Sequence, residues 1–248
     1  VKLRVIPVIL VKGETQYKGE RFNNWRVVGN PVASARLHSA RDVDEVLVID
    51  INATAENRTL SPALIGAISD FLRVPLCVGG GIRNEKDIET CLMSGADKVL
   101  LGTTPALNLE GLQRFSEVFG SQALVCSVDG FGKFGEKTAV MSGQRSLEIS
   151  PTSLAVALEE FGAGELLVQH IEKDGLQSGM PVNLVRDISS MVKIPVIAST
   201  GMGTPDHAVE AASAGAAAVA SGAMLQFTHY TPTDVKNSLE SAGFPVRR

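Results

Sequence analysis

Three cysteines, Cys77, Cys91 and Cys126, are all that the chain holds, and no two of them form a C-x-x-C pair. The odd number and the spacing argue against a cysteine metal cluster and for a reducing cytosol with buried thiols. Basic charge is short as well, since 23 Lys and Arg against 27 Asp and Glu leave a formal net charge of −4. Scattered cations in an acidic chain give no footprint for nucleic acid, although local sites for small anions remain open. No segment approaches the roughly twenty uninterrupted apolar residues of a membrane span. The apolar start at 4–11 is broken by Pro7 and followed by a charged, glycine-containing stretch, so it reads neither as a secretory signal nor as an anchor. A cytoplasmic protein without a nucleic-acid or membrane partner is the expectation.

Short apolar runs, by contrast, recur along the whole chain: "RVIPVILV", "EVLVIDI", "VPLCVGG", "KVLLGT", "ALVCSVD", "ELLVQHI", "IPVIAST" and "AAVASGA". Helical patterns fall between most of them, at 59–72, 84–94, 152–162, 181–192 and 205–214. Continuous apolar strands covered by helices indicate a parallel sheet, and eight such units in 248 residues match a single-domain (βα)8 TIM barrel spanning 1–248. A doubly wound open sheet is the alternative. Two connections are long, at 12–30 and at the glycine-rich 130–146, and both are expected to be loops covering an active site at the C-terminal rim.

The chain also repeats itself. At an offset of 120, the segment 74–103 aligns with 194–223, matching Pro75 to Pro195, Gly81 to Gly201, Gly95 to Gly215 and Gly102 to Gly222. The same offset pairs Glu45 with Glu165, so two half-barrels, about 1–120 and 121–248, are the economical reading. In each half a strand ends in glycines and the next ends in a small-residue turn leading to a helix. Backbone N–H groups there approach an anion closely, and a helix N-terminus adds favourable partial charge. Two symmetric phosphate sites are therefore expected, one at Gly81, Gly102 and Thr103 and one at Gly201, Gly222 and Ala223, for a ligand with a phosphate at each end.

These motifs in order, with "IPV-x-LVKG", "YKG", "DINA", "VGGGI", "GADKV", "GAGELL", "KDG-x-x-SG" and "PVIAS-x-G", resemble the cyclase subunit family of imidazole glycerol phosphate synthase over the full chain. The resemblance implies a phosphorylated nucleotide ligand, a heterodimer with a glutaminase subunit, and ammonia travelling through the barrel. It adds Asp174 and Gly175 of the KDG segment to the phosphate-binding set. It implies a charged gate of Arg4, Glu45, Lys98 and Glu165 at the N-terminal face, with Asp97 at the glutaminase interface. No metal or cofactor is implied.

Two aspartates at the rim, ending the first and fifth barrel strands, carry proton transfer in that family. Asp129 matches the second of them, whereas Leu10 stands at the first. Leucine moves no proton, and a general acid or base contributes about 10²- to 10⁴-fold in rate. Asp50, His170, Glu172 and Asp174 are possible stand-ins near the rim, His170 the most distinctive because imidazole titrates near neutrality. Gly102, Asn52, Gln169 and His170 are further departures from the family pattern. A cyclase-like branch of the family accompanies a sugar amidotransferase in bacterial surface polysaccharide (O-antigen) synthesis, where ammonia makes an acetamidino group. The lost acid favours that branch, and a histidine-pathway cyclase is the alternative.

Overall fold

The computed structural model describes residues 2–247. The chain runs β1 (Arg4–Lys12), β2 (Thr15–Glu20), β3 (Asn23–Gly29), α1 (Pro31–Ser39), β4 (Val46–Asp50), α2 (Pro62–Ser69), β5 (Leu76–Gly79), α3 (Glu85–Met93) and β6 (Lys98–Leu101). It continues with α4 (Thr103–Leu107), α5 (Leu109–Phe119), β7 (Leu124–Phe131), β8 (Lys137–Val140), β9 (Arg145–Leu147), α6 (Pro151–Glu160) and β10 (Glu165–His170). It ends with α7 (Val182–Met191), β11 (Val196–Ser199), α8 (Pro205–Ser213), β12 (Ala218–Ser221), α9 (Ala223–Phe227) and α10 (Pro232–Ser241). Strands β1, β4, β5, β6, β7, β10, β11 and β12 pair in parallel, and β10 pairs back onto β7, so the sheet closes into an eight-stranded barrel with the helices outside. The open sheet is excluded by that closure.

Local sequence explains the element boundaries. Five helices begin with a cap residue followed by proline: Asn30-Pro31, Ser61-Pro62, Ser150-Pro151, Thr204-Pro205 and Thr231-Pro232. Proline at the first helical position gives up an N–H that has no partner there anyway, and its ring presets φ. The apolar strands pack outward against the helices through residues such as Val5, Ile9, Val48, Ile65, Leu124, Leu154 and Val235, which form the main core.

The two long connections are not loops but antiparallel ribbons that extend barrel strands past the rim. Leu10, Val11 and Lys12 of β1 pair with Tyr17, Gln16 and Thr15 of β2, and β2 pairs with β3. Likewise β7 continues into β8 and β9. Polarity hid the first ribbon from a search for apolar runs, because the side chains that β2 buries are Gln16 and Lys18.

Helix α10 is tied to the barrel by a fully buried lysine. Lys236 Nζ lies 3.1 Å from Asp44 Oδ1 and 3.4 Å from Asp42 Oδ2, while Asp44 Oδ2 accepts the Val5 N–H at 2.8 Å. Removing one member of a buried pair leaves an uncompensated charge, at a cost of about 3–5 kcal/mol. Lys236→Met is expected to lose stability of that order in urea denaturation, and adding Asp44→Asn to restore part of it. A loss within ~0.5 kcal/mol, the range of ordinary surface changes, would contradict the assignment.

Candidate functional site at the barrel mouth

Side chains alternate across a strand, so every second residue of each barrel strand enters the lumen. On the N-terminal floor this row supplies Arg4 of β1, Glu45 just before β4, Lys98 of β6 and Glu165 of β10. Arg4 bonds Glu45 at 2.9 Å and also Glu165, and Lys98 bonds Glu45 at 2.9 Å and Glu165 at 2.6 Å. Each cation thus touches both anions and the ring closes. Burial pulls the Arg4 and Lys98 pKa values down, but the two glutamates outweigh it and both end above their ordinary values. Glu45, more enclosed than Glu165, is held above its ordinary value by burial, whereas Arg4 and Lys98 overcome burial at Glu165 and hold it below. Asp97 stands exposed beside this floor, where its carboxylate accepts the Leu76 N–H at 2.8 Å.

Above the ring lies an apolar layer of Ile6, Leu47, Cys77, Leu100, Val125, Leu167, Ile197, Ala218 and Ala220. Above that, at the C-terminal rim, opens a cavity of about 370 Å³. Leu10, Asp50, Gly81, Gly102, Thr103, Asp174, Gly175, Gly201, Gly222 and Ala223 all line it, so both expected phosphate cups face one chamber. Asp129 and His170 are not among its walls.

The cups are built alike. Gly102 and Gly222 cap the N-termini of α4 and α9, neither helix has a side-chain cap, and both glycines line the cavity. The paired turns need glycine: Gly81 has φ +70° and Gly201 φ +77°, and a Cβ would fall 1.8 Å from Arg58 O and 2.2 Å from Gly179 O respectively. Thr103 differs from its counterpart Ala223 in having its hydroxyl engaged, accepting the Met141 N–H at 3.0 Å.

The ionisable candidates are sorted by strand parity. Asp129 Oδ1 accepts hydrogen bonds from Gln169 Nε2 at 3.0 Å and from Ser127 Oγ, and burial raises its pKa against both. Asp50 lies at the cavity wall with its partners around it: its enclosed carboxylate takes Arg58 at 2.6 Å, the Asn52 N–H at 3.1 Å and the Gly13 N–H at 3.2 Å. The expected stand-in His170 lies outside the lumen, because Glu165, Leu167 and Gln169 occupy the inward row of β10 and residue 170 falls on the opposite face. Its ring is buried against Gly135, with Nδ1 3.2 Å from Glu172 Oε2 but not aligned for a hydrogen bond, and burial lowers its pKa. Leu10 does face the cavity, beside Ile49.

Sequence reading missed Lys18. It projects from β2 into the mouth, where Nζ donates to Val8 O at 2.6 Å beside Gly222. Burial brings its pKa down to about 8 against the attraction of Asp174, and burial pushes Asp174 up to about 6 against the attraction of Lys18. One Asp174 oxygen is buried with no hydrogen-bond partner among the described residues. The available signal was period two in "TQYKG", which sets Gln16 and Lys18 on one face. No group of His, Cys, Asp and Glu among the described residues is placed to hold a metal, and no helix there is long and apolar enough to cross a membrane.

A family model described as histidine biosynthesis protein matches residues 4–231. A Dehalococcoides mccartyi protein named imidazole glycerol phosphate synthase subunit HisF is 37% identical over 98% of this chain and 97% of its own length. The subunit of the same name from Thermobifida fusca is 34% identical, over 99% of this chain and 98% of its own length. A Campylobacter jejuni protein, provisionally named imidazole glycerol phosphate synthase subunit hisF2, is also 34% identical, over 100% and 99%.

The Lys18–Asp174 pair makes stability depend on pH. A raised Asp174 pKa contributes stability below the ordinary carboxylate range that is lost as pH rises through about 6. A lowered Lys18 pKa contributes stability above the ordinary lysine range that is lost as pH falls through about 8. Between the two values neither contribution remains. Asp174→Asn is therefore expected to gain stability relative to the parent chain as pH rises from 4 to 6. The gain is on the order of 2 kcal/mol, since each tenfold change in proton affinity is worth about 1.4 kcal/mol. Denaturation midpoints of both proteins across pH 4–8 check this, and a flat difference contradicts it.

Proposed function

The chain belongs to the histidine biosynthesis protein family as a HisF-like member, and we propose that it is a synthase subunit that pairs with a glutaminase and receives its ammonia through the barrel. The observation that carries the reading is the closed ring of Arg4, Glu45, Lys98 and Glu165 beneath an apolar lumen. Isolated surface ion pairs add little stability, so four charges turned into a barrel floor suit a gate better than a strut. Neutral ammonia suits the apolar layer above, while ammonium would meet the cost of burying an unpaired charge. Docking of the glutaminase on this floor, with Asp97 in the interface, would place ammonia release next to the ring. Opening requires at least one of the ion pairs to part.

At the mouth, the two cups suit phosphate groups of a small-molecule ligand, with Lys18 adding positive charge beside Gly222. Leu10 leaves this chamber without one of the carboxyl groups that ring closure would use. The proposed destination of the ammonia is therefore a separate sugar amidotransferase acting on a sugar nucleotide in surface polysaccharide synthesis. The second reading is a true cyclase and lyase acting on a phosphoribulosyl-formimino carboxamide ribotide. Retention of Asp129 beside Ser127 supports it, and Asp174 and Lys18 would then have to supply the missing proton transfer.

One measurement separates these readings, and a second tests the gate that both share. Given the bisphosphate ribotide and excess free ammonium, the purified chain is expected to turn over about 10²- to 10⁴-fold more slowly than a cyclase that keeps its first-strand acid. Leu10→Asp is expected to raise that rate, and ordinary cyclase turnover by the unaltered chain overturns the preferred reading. In the complex with its glutaminase, Lys98→Ala is expected to reduce glutamine-dependent amination more than amination with free ammonium. Equal losses in the two assays count against the gate.

A further inference from the structure

We propose that Gln169 is a positioning residue that holds Asp129 as a fixed hydrogen-bond acceptor at the cavity wall. The inference rests on the barrel register and does not depend on the ammonia reading. Residues 169 of β10 and 129 of β7 are directly paired where the barrel closes, so their side chains lie abreast on the inner face. The amide of Gln169 donates to Asp129 Oδ1 at 3.0 Å, and the Ser127 hydroxyl donates to the same oxygen. The amide orientation follows from chemistry, because a carboxylate offers no hydrogen to an amide oxygen. Ser127 and Gln169 are walls of the cavity, whereas Asp129 is not.

The consequence concerns proton traffic. Both neighbours of Asp129 Oδ1 donate, which favours the charged form against the burial that raises its pKa. An amide neither gains nor loses a proton in the working pH range, so Gln169 relays none. Its carbonyl Oε1 accepts no hydrogen bond among the described residues, so it can take an N–H from a ligand in the chamber. An amide oxygen at that wall offers an acceptor to an ammonia-like or amine donor without taking its proton.

The test reads Asp129 directly. Side-chain carboxyl ¹³C shifts of the full chain are followed against pH, with the Asp129 signal assigned by its loss in Asp129→Asn. Gln169→Met keeps the length and removes the donor, and the Asp129 midpoint is expected to rise by about one pH unit, a tenfold gain in proton affinity. Gln169→Glu sets a second carboxyl against Asp129, and the pair is expected to retain one proton to still higher pH. Thr54→Val, also on the cavity wall, is expected to leave the midpoint unchanged. Should the Met variant fail to fold, the Glu variant carries the test. An Asp129 midpoint that ignores the Gln169 changes, or moves equally in Thr54→Val, overturns the proposal.

Discussion

Closure of the parallel sheet by the pairing of β10 with β7 is the constraint on which the rest of the molecule depends. Once the sheet closes, every strand has one face in the lumen and one toward the helices, and period two decides which residues can meet. In β1 the inward row is Arg4, Ile6, Val8 and Leu10; in β10 it is Glu165, Leu167 and Gln169. One parity therefore delivers charge at the floor, hydrocarbon in the middle and the reactive level at the mouth. No residue in either row can change role without a register slip, which would turn the whole strand inside out.

The charged floor shows why that order holds. Two cations and two anions in a partly dehydrated setting are costly unless each charge is satisfied several times over. Here Arg4 and Lys98 each contact Glu45 and Glu165, so the four charges form a neutral cycle. The opposed pKa directions of the glutamates fit their surroundings: burial dominates at Glu45, and its partners dominate at Glu165. A cycle of this kind tolerates one broken contact better than an isolated pair does, since each charge keeps a second partner.

Much of this is legible from residues alone. The eight apolar runs are the eight barrel strands, and the offset of 120 places Gly81 with Gly201 and Gly102 with Gly222 at corresponding turns around one cavity. His170 and Asp50 suggest themselves as stand-ins through their titratable side chains, yet parity sets both off the inward rows, and Asp50 meets the cavity wall only from the strand end, as a carboxylate paired with Arg58. The information is in the chain: counting by twos from Glu165 reaches Gln169, not His170, and from Glu45 reaches Ile49, not Asp50. Lys18 and the ribbons are harder to read, because β2 buries polar side chains and apolar content does not mark it. Its partners lie far away in sequence, at Asp174 and Gly222, so only the folded chain brings them together.

Parity also sharpens what the mouth has lost. In the proposed reading Leu10 takes the place of a carboxyl on the inward row of β1, and Gln169 engages the carboxyl that β7 carries. The two residues stand on different strands, both on inward rows at the mouth of the lumen. Lys18 and Asp174 line the chamber together, beside the turn that begins α9. That pair is placed to meet an anionic group at the rim, and its charge pattern favours holding a ligand over taking protons from the centre of the chamber. In the proposed reading, the charged floor and the uncharged Leu10 and Gln169 at the mouth fit together if the nitrogen passes through the barrel unreacted. The second reading, ring closure, keeps Asp129 at this level and has Leu10 where it would use a further carboxyl.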